Sequence, residues 1–326
     1  MIEIHDADLL AEQLIYRIGP RSNRKISFVV GSGLTRPSIP DVAEYIHAMR
    51  SSLEHDKAHL VGLGRTLDSF DESLDDHLSS VKYQRAATFI QGSRGHELLN
   101  EIIRIGVLRA CRSDDLRMLT RAEVRQLVAD EAALEDLEKS ADWNLMGGVE
   151  AFGRVLTAIK DAGKSGPVIT TNFDPLIELA IQRAGGQFDT QSMDSIDGRI
   201  PPPLQHSAIS VIHVHGYWRQ GETLHTQYQL SRARTKLAAS LEDRLRGNYV
   251  VVVAYGGWRD VFTRCLMGFL SRGNCMGMAL SWGWHGELEQ KDFRVGIKAQ
   301  LARLACVSHY GGIDTNTIFP KILSGL

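Results

Sequence analysis

Six short runs of apolar, β-branched residues limit what this chain can fold into. They are Ile26 to Val30, Val168 to Thr171, Ile209 to Val214, Tyr249 to Ala254, Met276 to Trp282 and Leu304 to His309, and none alternates as a half-exposed strand would. Such runs read as strands buried on both faces. Helical patterns lie between several of them, among them Glu150 to Ala162 and Leu176 to Ala184. Alternating strand and helix predicts an α/β fold, a Rossmann-like, doubly wound and mostly parallel sheet with helices on both faces. The 326 residues, 43% of them hydrophobic, suffice for such a core.

The stretch from about Asp41 to Lys160 breaks the rhythm. It offers amphipathic helices at Val42 to Arg50, Lys82 to Ile90 and His96 to Arg109, and an acidic stretch from Glu123 to Glu138, with no convincing strand. We therefore divide the chain into a Rossmann-type α/β domain, residues 1–41 and 160–326, and an inserted helical module, residues 42–159. The acidic run Asp130 to Glu138 reads as a solvated helix face, and Asp189 to Gln205, with its three prolines, as a loop.

Composition removes several classes of function. Thirty-seven basic against thirty-nine acidic residues leave no footprint for nucleic acid or an anionic membrane. The start lacks the basic and apolar regions of a signal peptide, and VVVVAY is too short to span a bilayer, so a cytoplasmic protein is expected. Cys111, Cys265, Cys275 and Cys306 form no CxxC pair, so four idle thiols are expected, with neither a disulfide framework nor a metal site.

The chemistry gathers just past the strands. Gly31-Ser32-Gly33 follows the first, Thr171-Asn172-Phe173-Asp174 the second, His215-Gly216 the third and Tyr255-Gly256-Gly257-Trp258-Arg259-Asp260 the fourth. In an open parallel sheet these ends share one edge, and ligands bind in the crevice there. Glycines 31 and 33 suit close approach of a pyrophosphate, and equally a tight turn. Asn172 can hold a ribose hydroxyl or a water, and Asp174 can accept from an amide NH₂ or cap the helix after Pro175. His215, at a strand end beside Gly216, can serve as a general base, whereas His213 reads as a structural histidine. Tyr255 to Gly257 again permit close approach of a ligand, or form a βα turn, with Asp260 orienting a neighbouring segment. No acidic residue closes a second strand about twenty positions after the glycines, which disfavours a hydride-transfer dehydrogenase.

In this order, strand-GSG, Ile39-Pro40-Asp41, TTNFD, HVHG and VVVVAYGGWRD resemble the sirtuin-like NAD-binding domain, and more narrowly the NAD-hydrolysing effectors of bacterial antiphage defence. Gln227 to Leu230 and Gly312-Ile313-Asp314 extend the likeness. The resemblance implies that Gly31, Ser32 and Gly33 bind phosphate, and that Asn172, beside Thr171, binds the nicotinamide ribose and helps place the attacking group. It implies that Asp174 recognises the carboxamide and that His215 is the catalytic base. Gly216, Tyr255, Gly256, Gly257 and Asp260 complete the NAD contacts. The sequence departs from protein deacylases: the GIPDFR-type segment is Ser38 to Ala43, and the four zinc-binding cysteines are absent.

What the resemblance implies is a NAD glycohydrolase that uses NAD as substrate, needs no metal, and releases nicotinamide and ADP-ribose. An abortive-infection effector is expected to be held inactive by homo-oligomerisation or by a partner, such as an ATPase, a nucleotide-binding protein or a nucleic-acid sensor. Two other readings stay open: a non-catalytic NAD or ADP-ribose sensor, and a NAD-dependent deacylase or ADP-ribosyltransferase.

Overall fold

A computed structural model describes residues 2–55, 63–75, 79–193, 196–205, 207–219, 221–258, 260–270 and 278–326. Its centre is one eight-stranded sheet in the order β1-β8-β7-β6-β2-β3-β5-β4. The strands are β1 (Ile4–His5), β2 (Ile26–Val30), β3 (Ser165–Thr170), β4 (Phe188–Ser192), β5 (Ile209–His213), β6 (Tyr249–Val253), β7 (Ala279–Gly283) and β8 (Val307–Tyr310). Every pairing is parallel. From β2 the chain winds through β3 and β5 to one side and then returns through β6, β7 and β8 on the other. The direction therefore reverses between β2 and β6, and an open α/β sheet opens a ligand crevice at such a point.

The expected strands form with small shifts at their ends; Met276 and Gly277 lie outside the described residues. Two strands correct the sequence reading. Phe188–Ser192 is edge strand β4, not loop, although its sequence FDTQS carries no apolar run. Its two inward polar side chains are bonded to each other, Gln191 donating to Asp189 at 2.9 Å, and its backbone pairs with β5. β1, two residues long, is too short to leave a periodic signal.

Helices cover both faces. They are α1 (Ala7–Ile18), α9 (Gly147–Asp161), α10 (Leu176–Arg183), α11 (Gln227–Ser231), α12 (Thr235–Leu245), α13 (Val261–Leu270), α14 (Gly296–Leu301) and α15 (Thr315–Ser324). Leu10, Phe28, Phe152 and Phe319 belong to the core on one face; Val29, Leu241, Val252 and Phe262 to that on the other. Between β2 and α9 run α2 (Val42–His55), α3 (Leu63–Glu72), α4 (Ser79–Arg94), α5 (His96–Leu108), α6 (Asp114–Arg117), α7 (Arg121–Ala129) and α8 (Glu131–Lys139). Asp41 starts α2: its carboxylate accepts from the amides of Ala43 and Glu44, while the Glu44 carboxylate accepts from Asp41 N.

The acidic run is not wholly a solvated face. Glu138, at the end of α8, is partly buried and accepts from Tyr217 Oη at 3.0 Å, Trp218 Nε1 at 3.1 Å and Arg219 Nη1 at 2.9 Å. The thiol reading also needs correction. Cys111 and Cys265 are free and buried, but Cys306 is held in a disulfide; Cys275 lies outside the described residues. Among the described residues no helix is long and apolar enough to cross a membrane.

Candidate active site

The strand ends enclose an inner cavity of about 90 Å³. Its lining includes Ser32 after β2, Thr171, Asn172 and Asp174 after β3, His215 after β5, and Tyr255, Gly256 and Asp260 after β6. Four segments distant in sequence thus meet where the topology reverses. His215, Asn172, Asp174 and Asp260 are at most 7% exposed, so their polar atoms face one another and the cavity rather than bulk water.

His215 and Asp260 form a buried pair. His215 Nε2 stands 3.2 Å from Asp260 Oδ2, a contact that is an ion pair when the ring is protonated but lacks hydrogen-bond alignment. Asp260 is fixed from behind. Its Oδ1 accepts from Thr263 N at 2.8 Å at the start of α13, and its Oδ2 accepts from Tyr255 Oη at 2.8 Å. Burial alone would raise the Asp260 carboxyl, but His215 beside it, the Thr263 amide and the Tyr255 hydroxyl together hold it below the usual carboxylate range. A charged Asp260 favours a proton on Nε2 of the imidazole, leaving Nδ1 as the nitrogen that can accept one.

Asn172 and Asp174 are joined through Thr35, a residue that belongs to no motif and no periodic pattern. Asn172 Nδ2 donates to Thr35 Oγ1 at 3.2 Å, and Thr35 Oγ1 donates to Asp174 Oδ2 at 3.1 Å. Asp174 Oδ1 accepts from Leu176 N at 3.2 Å, an Asx turn leading into α10, whose cap position is Pro175 and not Asp174. Burial, stronger than the opposing Leu176 amide and His213 charge, pushes the Asp174 carboxyl up to about 6. His213 is structural, as its place within β5 suggested. It is fully buried, with Nδ1 2.6 Å from Asn172 O and Nε2 2.7 Å from Glu178 Oε1. Burial lowers this imidazole, but the Glu178 charge and these hydrogen bonds outweigh it and raise His213 overall. The pair pins the backbone of Asn172 from below the cavity floor.

Several glycines serve the backbone rather than either space. A Cβ on Gly31 would fall 2.8 Å from Ala254 O, and one on Gly216, at φ 90°, 2.5 Å from Glu222 O. Gly257, at φ 70°, packs on Ile297 and Trp282. Gly33 donates to Ala254 O at 3.2 Å and lines an outer cleft of about 510 Å³ together with Arg36, Trp284 and Asp314. Tyr255 and Gly256 line both the inner cavity and this outer cleft. No helix follows the glycine loop directly; turns fill residues 32–38 before α2.

The helical segment supplies part of the wall. Tyr45 of α2 and Tyr83 of α4 line the inner cavity beside Phe173, His225 and Trp258. Tyr45 stacks edge-on to Phe173 at 6.0 Å, and Tyr83 Oη lies 2.6 Å from His225 Nδ1. His225 Nε2 is buried without a partner. Burial, with the charges of His215 and His96, brings His225 down to about 3, so the ring is neutral near pH 7. Sequence pattern had no means of separating these aromatics from ordinary core residues. Among the described residues no group of three or more His, Cys, Asp or Glu side chains could hold a metal ion.

Fold and cavity together define an α/β protein of Rossmann-like topology with a small pocket at its switch point, lined largely by apolar atoms and holding a few buried polar groups. The family model of the SIR2-like domain matches residues 167–275, so the chain carries a sirtuin-like domain, which marks its activity as NAD-related. The match spans β3 to α13 and contains Asn172, Asp174, His215, Tyr255 and Asp260, while the glycine loop and the helical segment lie outside it. No curated protein matches the chain.

Proposed function

We propose that the chain is a NAD glycohydrolase that splits the bond between nicotinamide and ribose. The supporting observation is the buried His215–Asp260 pair facing the Asn172–Thr35–Asp174 chain across one small cavity. At about 90 Å³ the cavity is far below the roughly 300 Å³ or more that holds a drug-sized ligand, which suits a single ring and not a dinucleotide. The outer cleft, which shares Tyr255 and Gly256 with it as lining, suits the adenosine end.

Nicotinamide is cationic in NAD and leaves neutral, so the bond electrons go to its ring nitrogen and no general acid is needed. The ribose passes through an oxocarbenium-like state, and water completes the cleavage at its anomeric carbon. Asn172 positions that water or the ribose hydroxyls, His215 takes the water's proton, and Asp260 stabilises the resulting imidazolium. Asp174 accepts from the carboxamide NH₂. Hydrolysis of free NAD harms a cell, which supports an effector kept silent until a partner or assembly releases it, as the resemblance to antiphage effectors implies.

Nicotinamide release should fall at least ~100-fold in His215→Ala and in Asn172→Ala, the scale of a lost general base, with melting temperatures near that of the parent chain. It should not depend on added acylated peptide. Undiminished release in both variants, or release only with peptide, would overturn the proposal.

A further inference from the structure

A second cleft lies behind the inner cavity, within the helical segment. It measures about 560 Å³ and is walled by α2, α5 and the start of α7. That lies inside the range of small-molecule sites, roughly 300–1,000 Å³. Pro40 and Tyr45 line both spaces, so the Tyr45 ring forms part of the partition.

Its lining carries two cations, Arg109 and Arg121, and no acid. Arg109 is exposed, and among the described residues its guanidinium has no hydrogen bond or ion pair. Arg121 reaches the Ser52 hydroxyl. Thr120 is already engaged by the Glu123 carboxylate in the cap of α7, which leaves recognition to the arginines and Tyr45. Tyr45 is 4% exposed, and its hydroxyl has no hydrogen-bond partner. That hydroxyl lies against Gly106, where a Cβ would come within 2.5 Å of it. Buried polar groups are normally satisfied, so an orphaned hydroxyl at a cleft bearing two arginines points to a missing ligand. Ile102, Ile105 and Leu119 supply an apolar wall.

We infer that this cleft binds a phosphate-bearing small molecule. Guanidinium groups match the several acceptor oxygens of a phosphate. The Tyr45 hydroxyl adds a bond to the same anion, and the molecule's body rests on the apolar wall. Any occupant would abut Tyr45 and, through it, Phe173 between Asn172 and Asp174.

Calorimetric titration of the full chain with AMP, adenosine and inorganic pyrophosphate tests this without reference to turnover, so its failure leaves the NAD reading untouched. Saturable AMP binding is expected, weakened at least tenfold in Arg109→Ala and in Arg121→Ala but unchanged in Asn172→Ala. Adenosine and pyrophosphate should each bind at least tenfold more weakly than AMP. Should Arg121→Ala fail to fold, Arg109→Ala, at an exposed position, decides. Absence of AMP binding at millimolar concentration would overturn the inference, as would binding that the arginine variants leave intact. Adenosine binding as tightly as AMP would remove the phosphate from it, and pyrophosphate binding as tightly would reduce the site to a bare anion; either contradicts it.

Discussion

Asp174 is buried, and burial opposes the charge that would make its carboxylate the stronger acceptor, a conflict visible in its pKa. Burial first, against the Leu176 amide and the His213 charge, moves it from 3.8 to about 6. Between those values the folded chain keeps a proton that the unfolded chain has released. This group's contribution to stability therefore falls as pH rises through that window and stays low above it. Asp174→Asn removes the penalty. Its unfolding free energy should exceed that of the parent by about 2–3 kcal/mol at pH 7, from two pKa units at ~1.4 kcal/mol each, while the two converge near pH 4. Nicotinamide release should fall in the same variant. A stability difference independent of pH, measured by denaturant unfolding at both values, would show that Asp174 is not protonated by burial. Asp260 behaves oppositely. Its lowered carboxyl stabilises the fold above the ordinary carboxylate range and loses that effect as pH falls through its folded value.

At the scale of elements, the runs ISFVV and YVVVV were legible because strands buried on both faces need unbroken apolar sequence. The residues after them were legible as neighbours around one cavity because a parallel sheet brings its carboxyl ends to one edge. Asn172, Asp174, His215 and Asp260 could therefore be named from the sequence, whereas Thr35, Tyr83 and His225 could not. Thr35 enters through turns with no period, and an aromatic on an amphipathic helix has the same pattern whether it faces core or cavity. β4 hid because its stability comes from backbone pairing with β5 and from the Asp189–Gln191 bond rather than from apolar side chains. Helix crossings make their own demand. A Cβ on Gly153 of α9 would fall 2.3 Å from the Ala180 backbone of α10, a neighbour that cannot rotate away. Gly153→Ala should cost about 2–3 kcal/mol in urea unfolding, and a cost below ~0.5 kcal/mol would mean that the two helices separate freely.

Across the whole molecule, the helical segment clamps the chain that follows His215. Arg104 Nε donates to Trp218 O at 3.0 Å, Thr223 Oγ1 to Asn100 Oδ1 at 3.0 Å, and Glu138 gathers Tyr217, Trp218 and Arg219. Residues 217–219 and 221–225 thus owe their course to α4, α5 and α8 as much as to the sheet. Glu138→Ala leaves three donors without an acceptor and should destabilise the chain by about 3 kcal/mol, read by denaturant unfolding. An unchanged midpoint would make this docking incidental.

Whatever trigger governs turnover, the placement of NAD is open to direct observation. A crystal structure of Asn172→Ala with NAD should show the nicotinamide ring in the inner cavity, its carboxamide on Asp174 and its anomeric carbon on the side of His215, with the adenosine end in the cleft beside Gly33. Nicotinamide outside that cavity, or no bound NAD at saturating concentration, would contradict the glycohydrolase reading at its base.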